Sequence, residues 1–458
     1  MPIPPSRRNF LRIASRSLAS IGAAGIFSRF GQINALAQSS CAADYKALVC
    51  VFLFGGNDGN NTVIPQSTPT TNPNNSYSVY AGIRKGLALS QSSLLPATLP
   101  NGDVYGLHPS LSGIAHLYTN GNAAIVANVG TLVAPITRTQ YLTAGASVPS
   151  NLFSHLDQQQ EWQSSISQGF RTTGWGGRVA DVMQSCNNPN FPTVLSVGGN
   201  TLFATGNQTF PATVTPGQKL GLQGYGTGSS ARLTAFQDLL TFDNGVSLVQ
   251  ASNTITKAGN DQATLLNQAL TGNAAITTVF PTTSIGQQLL QVAKIIQARN
   301  ALGMRRQIFF AYLGGFDTHD LQLVDQGNQL LQLGDAMKAF YDSTVELNVA
   351  SQVTTFTESD FGRTCQPSGG STLGSDHAWG SHHFVVGGAV NGGNLYGQFP
   401  TLALSGPDDA NTRGVWIPTT SLDQYAATLA TWFGVDSGNL GQVFPNLVNF
   451  PSPRPAFI

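Results

Sequence analysis

Four short segments of this 458-residue chain set carboxylates and imidazoles close together. Gly55-Gly56-Asn57-Asp58-Gly59 places Asp58 in a glycine-rich turn. Gly314-Gly315-Phe316-Asp317-Thr318-His319 puts Asp317 and His319 two residues apart. Thr357-Glu358-Ser359-Asp360 ends on an acid. Gly374-Ser375-Asp376-His377-Ala378-Trp379-Gly380 adds Asp376 and His377. Carboxylate oxygens and imidazole nitrogens together suit zinc, manganese or similar divalent ions. Several acids gathered in one place repel one another, and a metal pair is an economical way to hold them. Each segment alone reads as an ordinary turn or loop hydrogen bond. Their weight comes from where they fall.

They fall at strand ends. Residues 46–54, 123–129, 307–313, 353–356 and 384–390 are short apolar runs, the pattern of strands buried on both faces. Between them, residues 285–302, 321–349 and 422–433 carry apolar stripes at helical spacing. Strands alternating with helices predict an α/β fold: a doubly wound, mostly parallel sheet with helices on both faces. Ligands collect at the carboxyl ends of such strands. Asp58, Asp317, His319 and Asp360 all lie just past one. Residues from about 198 to 284 are rich in Thr, Gly, Asn and Gln, and predict an inserted cap or surface subdomain.

The remaining histidines divide. His382 and His383 precede the fifth run, as outer partners of the cluster or as substrate-facing groups. His108 reads as a structural cap, and His116 fits a packed helix face. The spacing of Cys41, Cys50, Cys186 and Cys365 matches no zinc motif. Cys50 lies in an apolar strand and reads as a buried thiol. Ser154, in Phe153-Ser154-His155-Leu156-Asp157, stands before a helix start, where free N–H groups favour an anionic group. It reads as the N-cap of that helix.

Composition narrows the class. Lys and Arg number 22, Asp and Glu 22, and charged residues are only 10% of the chain. No basic excess offers a nucleic-acid footprint. No apolar run is long enough to span a bilayer. With 25 Phe, 11 Tyr and 5 Trp the chain can fill a core. The leader, residues 1–37, holds Ser6-Arg7-Arg8-Asn9-Phe10-Leu11-Arg12, then a mildly apolar run, then Ala35-Leu36-Ala37. This order resembles a twin-arginine signal with its cleavage site. Taking its five arginines from the 22 bases leaves 17 against 22 acids, a net of −5 over residues 38–458.

Val51 to Gly59, Gly315 to His319, Asp360-Phe361-Gly362-Arg363-Thr364 and Gly374 to Gly380 resemble a bacterial family of unknown function, domain-of-unknown-function family 1501. The tail from Asp423-Gln424-Tyr425-Ala426 to Phe444-Pro445-Asn446-Leu447 shares the likeness. That family is similar to the alkaline phosphatase superfamily, which includes phosphatases and sulfatases. The resemblance implies one or two divalent ions, whether zinc, manganese, calcium or magnesium, held by Asp58, Asp317, His319, Asp360 and His377. It implies Ser154 as the nucleophile on a small anionic ester, with Arg363 binding the oxyanion bidentately or pairing with an acid. Two departures stand out. Phe361 occupies the place where a second-site histidine usually follows the aspartate, and the Asp317–His319 spacing is shorter than usual.

The expectation is a single domain over 38–458, with the insert at about 198–284. It is read as a periplasmic or extracellular, metal-dependent hydrolase of phosphate or sulfate esters that meets the twin-arginine translocase during export. The alternative is a non-catalytic exported binding or assembly protein with a decayed site. A metal-free Ser-His-Asp hydrolase lacks its Gly-x-Ser-x-Gly elbow.

Overall fold

Strand β1 (Lys46–Leu53) forms because the apolar run that follows Lys46 lies between two layers that both need covering. The computed structural model describes residues 41–458, apart from 71, 219, 222–229, 243–244, 370–371 and 451–453. The signal expected over 1–37 lies outside them.

The main sheet also contains β5 (Ala123–Gly130), β6 (Val194–Ser196), β7 (Ala212–Thr213), β8 (Arg306–Leu313), β9 (Val353–Ser359), β10 (Ser381–Gly387), β11 (Leu395–Tyr396) and β12 (Thr420–Ser421). Its order is β11-β5-β10-β9-β1-β8-β6-β7, with β12 also on β5. Only β10 runs antiparallel to its neighbours, β5 and β9. A small sheet of β2 (Val63–Pro65), β3 (Leu95–Thr98) and β4 (Val104–Leu107) stands apart.

Helices cover both faces. Alternate residues Ala47, Val49, Val51 and Leu53 join one core with α2 (Ser112–Thr119), α7 (Ser284–Gln297) and α8 (Gln322–Glu346), while α1 (Tyr77–Arg84) flanks the small sheet. From these helices come Ile114, Leu117, Ile285, Leu289, Val292, Leu330 and Leu333. Each such side chain contributes about 1.5–3 kcal/mol on burial. On the opposite face, Phe356 of β9 meets Trp175 of α4 (Trp175–Met183) at 5.5 Å and Tyr425 of α9 (Leu422–Phe433) at 6.2 Å. Helix α9 starts on a capping box between Ser421 and Gln424 and stops at Gly434, whose φ of 122° few other residues adopt.

The five expected strands are all present, and the α/β sheet is mostly parallel as predicted. The fifth strand begins earlier than its apolar run, at Ser381, so His382 and His383 lie within β10. In the segment expected as an insert, β7 extends the main sheet, and α5 (Ser230–Thr241) and α6 (Ser247–Leu270) follow. Leu266 and Ala269 of α6 reach the core.

Register decides what meets. Leu53 lies opposite both Leu313 and Ser359, so the segments after β1, β8 and β9 leave the sheet at one edge. Because β10 is antiparallel, it begins at that same edge, Ser381 opposite Val129. Helix α3 (His155–Ser164) follows β5 and opens there too.

Candidate metal centre

At this edge the Asp317 carboxylate faces three imidazoles. Its Oδ1 lies 3.4 Å from His155 Nε2, 3.1 Å from His319 Nε2 and 3.6 Å from His377 Nε2. The two last rings also approach one another, Nε2 to Nε2, at 3.1 Å. His155, Asp317 and His377 each offer a ligand atom within 4.8 Å of the others. A zinc ion with bonds of about 2.0–2.1 Å sets tetrahedral donors about 3.3 Å apart. The spacings here bracket that value.

The far side of each ring is held. His377 Nδ1 is 2.7 Å from the Phe153 carbonyl. A carbonyl only accepts, so Nδ1 carries the proton and Nε2 presents a lone pair to the cluster. His155 Nδ1 donates to Asp360 Oδ2 at 2.7 Å, which leaves its Nε2 buried and without a hydrogen-bond partner. His319 Nδ1 lies 3.4 Å from Asp376 Oδ1. This is the carboxylate–histidine pattern that orients ligands at metal centres. The Nε2 atoms of His155 and His377 face Asp317 Oδ1, and Arg363 donates to that carboxylate. Imidazole nitrogens and a carboxylate oxygen at this spacing fit a divalent cation.

Local charge follows from these partners. Burial works to raise the Asp317 carboxyl, but the Arg363 guanidinium and the His155 and His319 rings outweigh it and hold the group below the usual range. The hydrogen bond to Asp360 pushes His155 up despite burial. Burial lowers His377.

Two glycines allow the approach. Gly55 has φ +113°, and a Cβ there would stand 2.4 Å from Asp317 N. A Cβ on Gly374 would lie 2.1 Å from the His319 carbonyl carbon.

Of the residues expected from sequence, Asp317, His319 and His377 meet directly. Asp360 is fully buried behind them. Its Oδ2 accepts from His155 and from Gln159 Nε2 (2.8 Å), and its Oδ1 from Gly55 N (3.2 Å). Asp58 is elsewhere in the network, paired with Arg84 and bonded by Gln322 and Asn60. Ser154 caps α3, its Oγ accepting from Asp157 N at 3.4 Å. Arg363 is buried and its donors are occupied by the carbonyls of Gly55, Gly56 and Ser375 and by Asp317. Phe361 packs its ring 4.8 Å from His155 and 4.6 Å from His377, walling the cluster with carbon. His382 and His383 lie away from it. His382 stacks on Phe399, His383 lies tilted against Trp162, and burial lowers both to about 3.

Sequence reasoning gave His155 no role, although it sits beside Ser154 at a helix start. Arg84 was also missed: it ends α1 and carries no motif. A cleft of about 960 Å³ lies between Phe191, Phe210, Ile255 and Leu266, and none of the candidate residues lines it.

No curated protein matches the chain. Among solved structures it is similar to the PsFucS1 sulfatase from Pseudoalteromonas sp., at 10% identity and TM-score 0.35, over 89% of this chain and 70% of that one. It is similar to the C-terminal periplasmic domain of EcEptC from Escherichia coli in complex with Zn, at 12% identity and TM-score 0.33, over 87% and 85%. It is also similar to the alkaline phosphatase PafA, at 9% identity and TM-score 0.30, over 71% and 64%. The profile of one family matches residues 45–414, which is most of the chain. The protein belongs to that family, Protein of unknown function (DUF1501).

Proposed function

We propose that the protein is a metal-dependent hydrolase of phosphate or sulfate esters, exported by the twin-arginine route after loss of residues 1–37. One observation carries the reading: the Nε2 atoms of His155, His319 and His377 converge on one oxygen of the Asp317 carboxylate at 3.1–3.6 Å. A donor set of nitrogens with one carboxylate favours zinc over calcium or magnesium, which prefer all-oxygen shells. His155, His377, Asp317 and His319 would hold the ion. When bound, it would polarise an ester oxygen and offset negative charge on the reacting group.

The chain's own residues set the rest. Asp360, Asp376 and the Phe153 carbonyl fix the three rings. Phe361 keeps one wall dry. Ser154, next to His155, is the hydroxyl proposed to attack the ester, and its cap bond to Asp157 N at 3.4 Å is long enough to exchange. Among the described residues no helix is long and apolar enough to cross a membrane. The twin-arginine-like leader, Ser6 to Ala37, supports a location in the periplasm or outside the cell.

The test is turnover of aryl phosphate and aryl sulfate by zinc-loaded protein, alongside Asp317→Ala and Ser154→Ala. The expected result is activity lost in both variants, and metal lost only in the first. Protein that takes up no metal overturns the reading.

A second reading is favoured by the engagement of Ser154 and Arg363. With the Ser154 hydroxyl acting as a cap and the Arg363 guanidinium saturated, the protein would bind metal without turnover, as an exported binding or assembly module. Metal uptake together with absence of hydrolysis across both ester classes selects it.

A further inference from the structure

We propose that the centre holds one divalent ion, and that Arg84 stands as a fixed internal cation where a second ion would otherwise be needed beside Asp58. The proposal rests on the metal-site reading above and goes beyond it in number and in the role of Arg84.

Four aspartates gather at this edge, and three already have a guanidinium. Asp58 pairs with Arg84, Asp317 with Arg363, and Asp376 with Arg413. Asp360 is satisfied by His155, Gln159 and Gly55 N. The repulsion that argued for two metal ions is therefore largely met by arginine.

Asp58 has no lone pair to spare. Its Oδ1 accepts from Asn60 N at 3.0 Å and from Asn60 Nδ2 at 3.1 Å, and its Oδ2 from Arg84 and Gln322. Four donors fill the roughly four acceptor positions of a carboxylate. Arg84 is equally committed: Nε donates to Asn61 Oδ1 at 3.1 Å, and Nη1 to the carbonyls of Thr364 at 3.0 Å and Cys365 at 3.1 Å. Both side chains are fully buried. An ion at Asp58 would have to strand that guanidinium away from water, a steep penalty. No imidazole contacts Asp58 among the described hydrogen bonds, whereas three surround Asp317.

The experiment is metal counting on the full chain, by native mass spectrometry and elemental analysis after exposure to excess Zn²⁺. One ion per chain is expected in the wild type and in Asp58→Asn, and none in His377→Ala. Two ions per wild-type chain overturn the inference and leave the hydrolase reading intact. A folded Asp58→Asn protein that has lost its ion does the same. No ion in the wild type overturns the reading itself and the inference with it. Should Asp58→Asn fail to fold, the Asp58→Asn/Arg84→Met double variant removes both charges together, and its count is judged by the same outcomes.

Discussion

Asp58 and Asp317 begin from the same local design and end in opposite states. Each follows a central parallel strand and a pair of glycines, and each meets an arginine. Asp58 is sealed, its side chain wholly buried, with every acceptor position taken. Asp317 stays half exposed and has three imidazoles for neighbours. The pair teaches that strand-end position alone does not make an acid reactive. What separates them is whether the surrounding groups satisfy the carboxylate or leave room for an ion.

The largest break in this comparison comes from Arg84→Ala. It strands a buried carboxylate and should cost about 3–5 kcal/mol in urea unfolding. Asp317→Asn should cost under about 1 kcal/mol, because the group is half in water. Equal costs for the two would erase the distinction between sealed and open corners.

A second sealed acid sharpens it through pH. Burial raises Asp423 to about 7, while its Oδ1 accepts from Ser165 Oγ and its Oδ2 has no hydrogen-bond partner. A raised folded value means the neutral form stabilises the fold fully below the ordinary aspartate range near 4. That stabilisation is lost as pH rises through 7. Asp423→Asn should therefore gain on the wild type by about 2–4 kcal/mol above pH 7, and by nothing near pH 4. A pH-independent difference in thermal melts would contradict this.

The outer partner of His155 gives a smaller effect. Asp360→Asn should weaken Zn²⁺ affinity by about 10–100-fold in calorimetric titration. Unchanged affinity would mean that His155 needs no orienting. Smallest of all, Lys257→Ala breaks an exposed pair with Asp261 on α6 and should change stability by less than about 0.5 kcal/mol.

The fold was legible where runs were long. The strands of seven or eight residues and the helix over 422–433 follow from apolar runs and cap residues. Strands β6, β7, β11 and β12 have two or three residues each, too few to show a period, and exist because a longer neighbour offers an open edge. Asp317, His319 and His377 were visible by type and spacing. His155 was not, because its meaning depends on Asp360, 205 residues later. Arg84 was hidden for a related reason. An arginine ending an amphipathic helix reads as surface, and only the folded chain turns it inward onto Asp58.

Arg363 has a consequence for the order of events during folding. Its guanidinium ties the Gly55–Gly56 carbonyls, more than 300 residues earlier, to Asp317, 46 residues earlier, and to Ser375, 12 residues later. Closing the longest of these loops carries the largest entropy cost and waits on pairing across the sheet centre. The pocket around Asp317 is therefore completed late, once distant crossovers have docked. An ion captured there would act as a receipt for a finished chain rather than as a seed for an unfinished one.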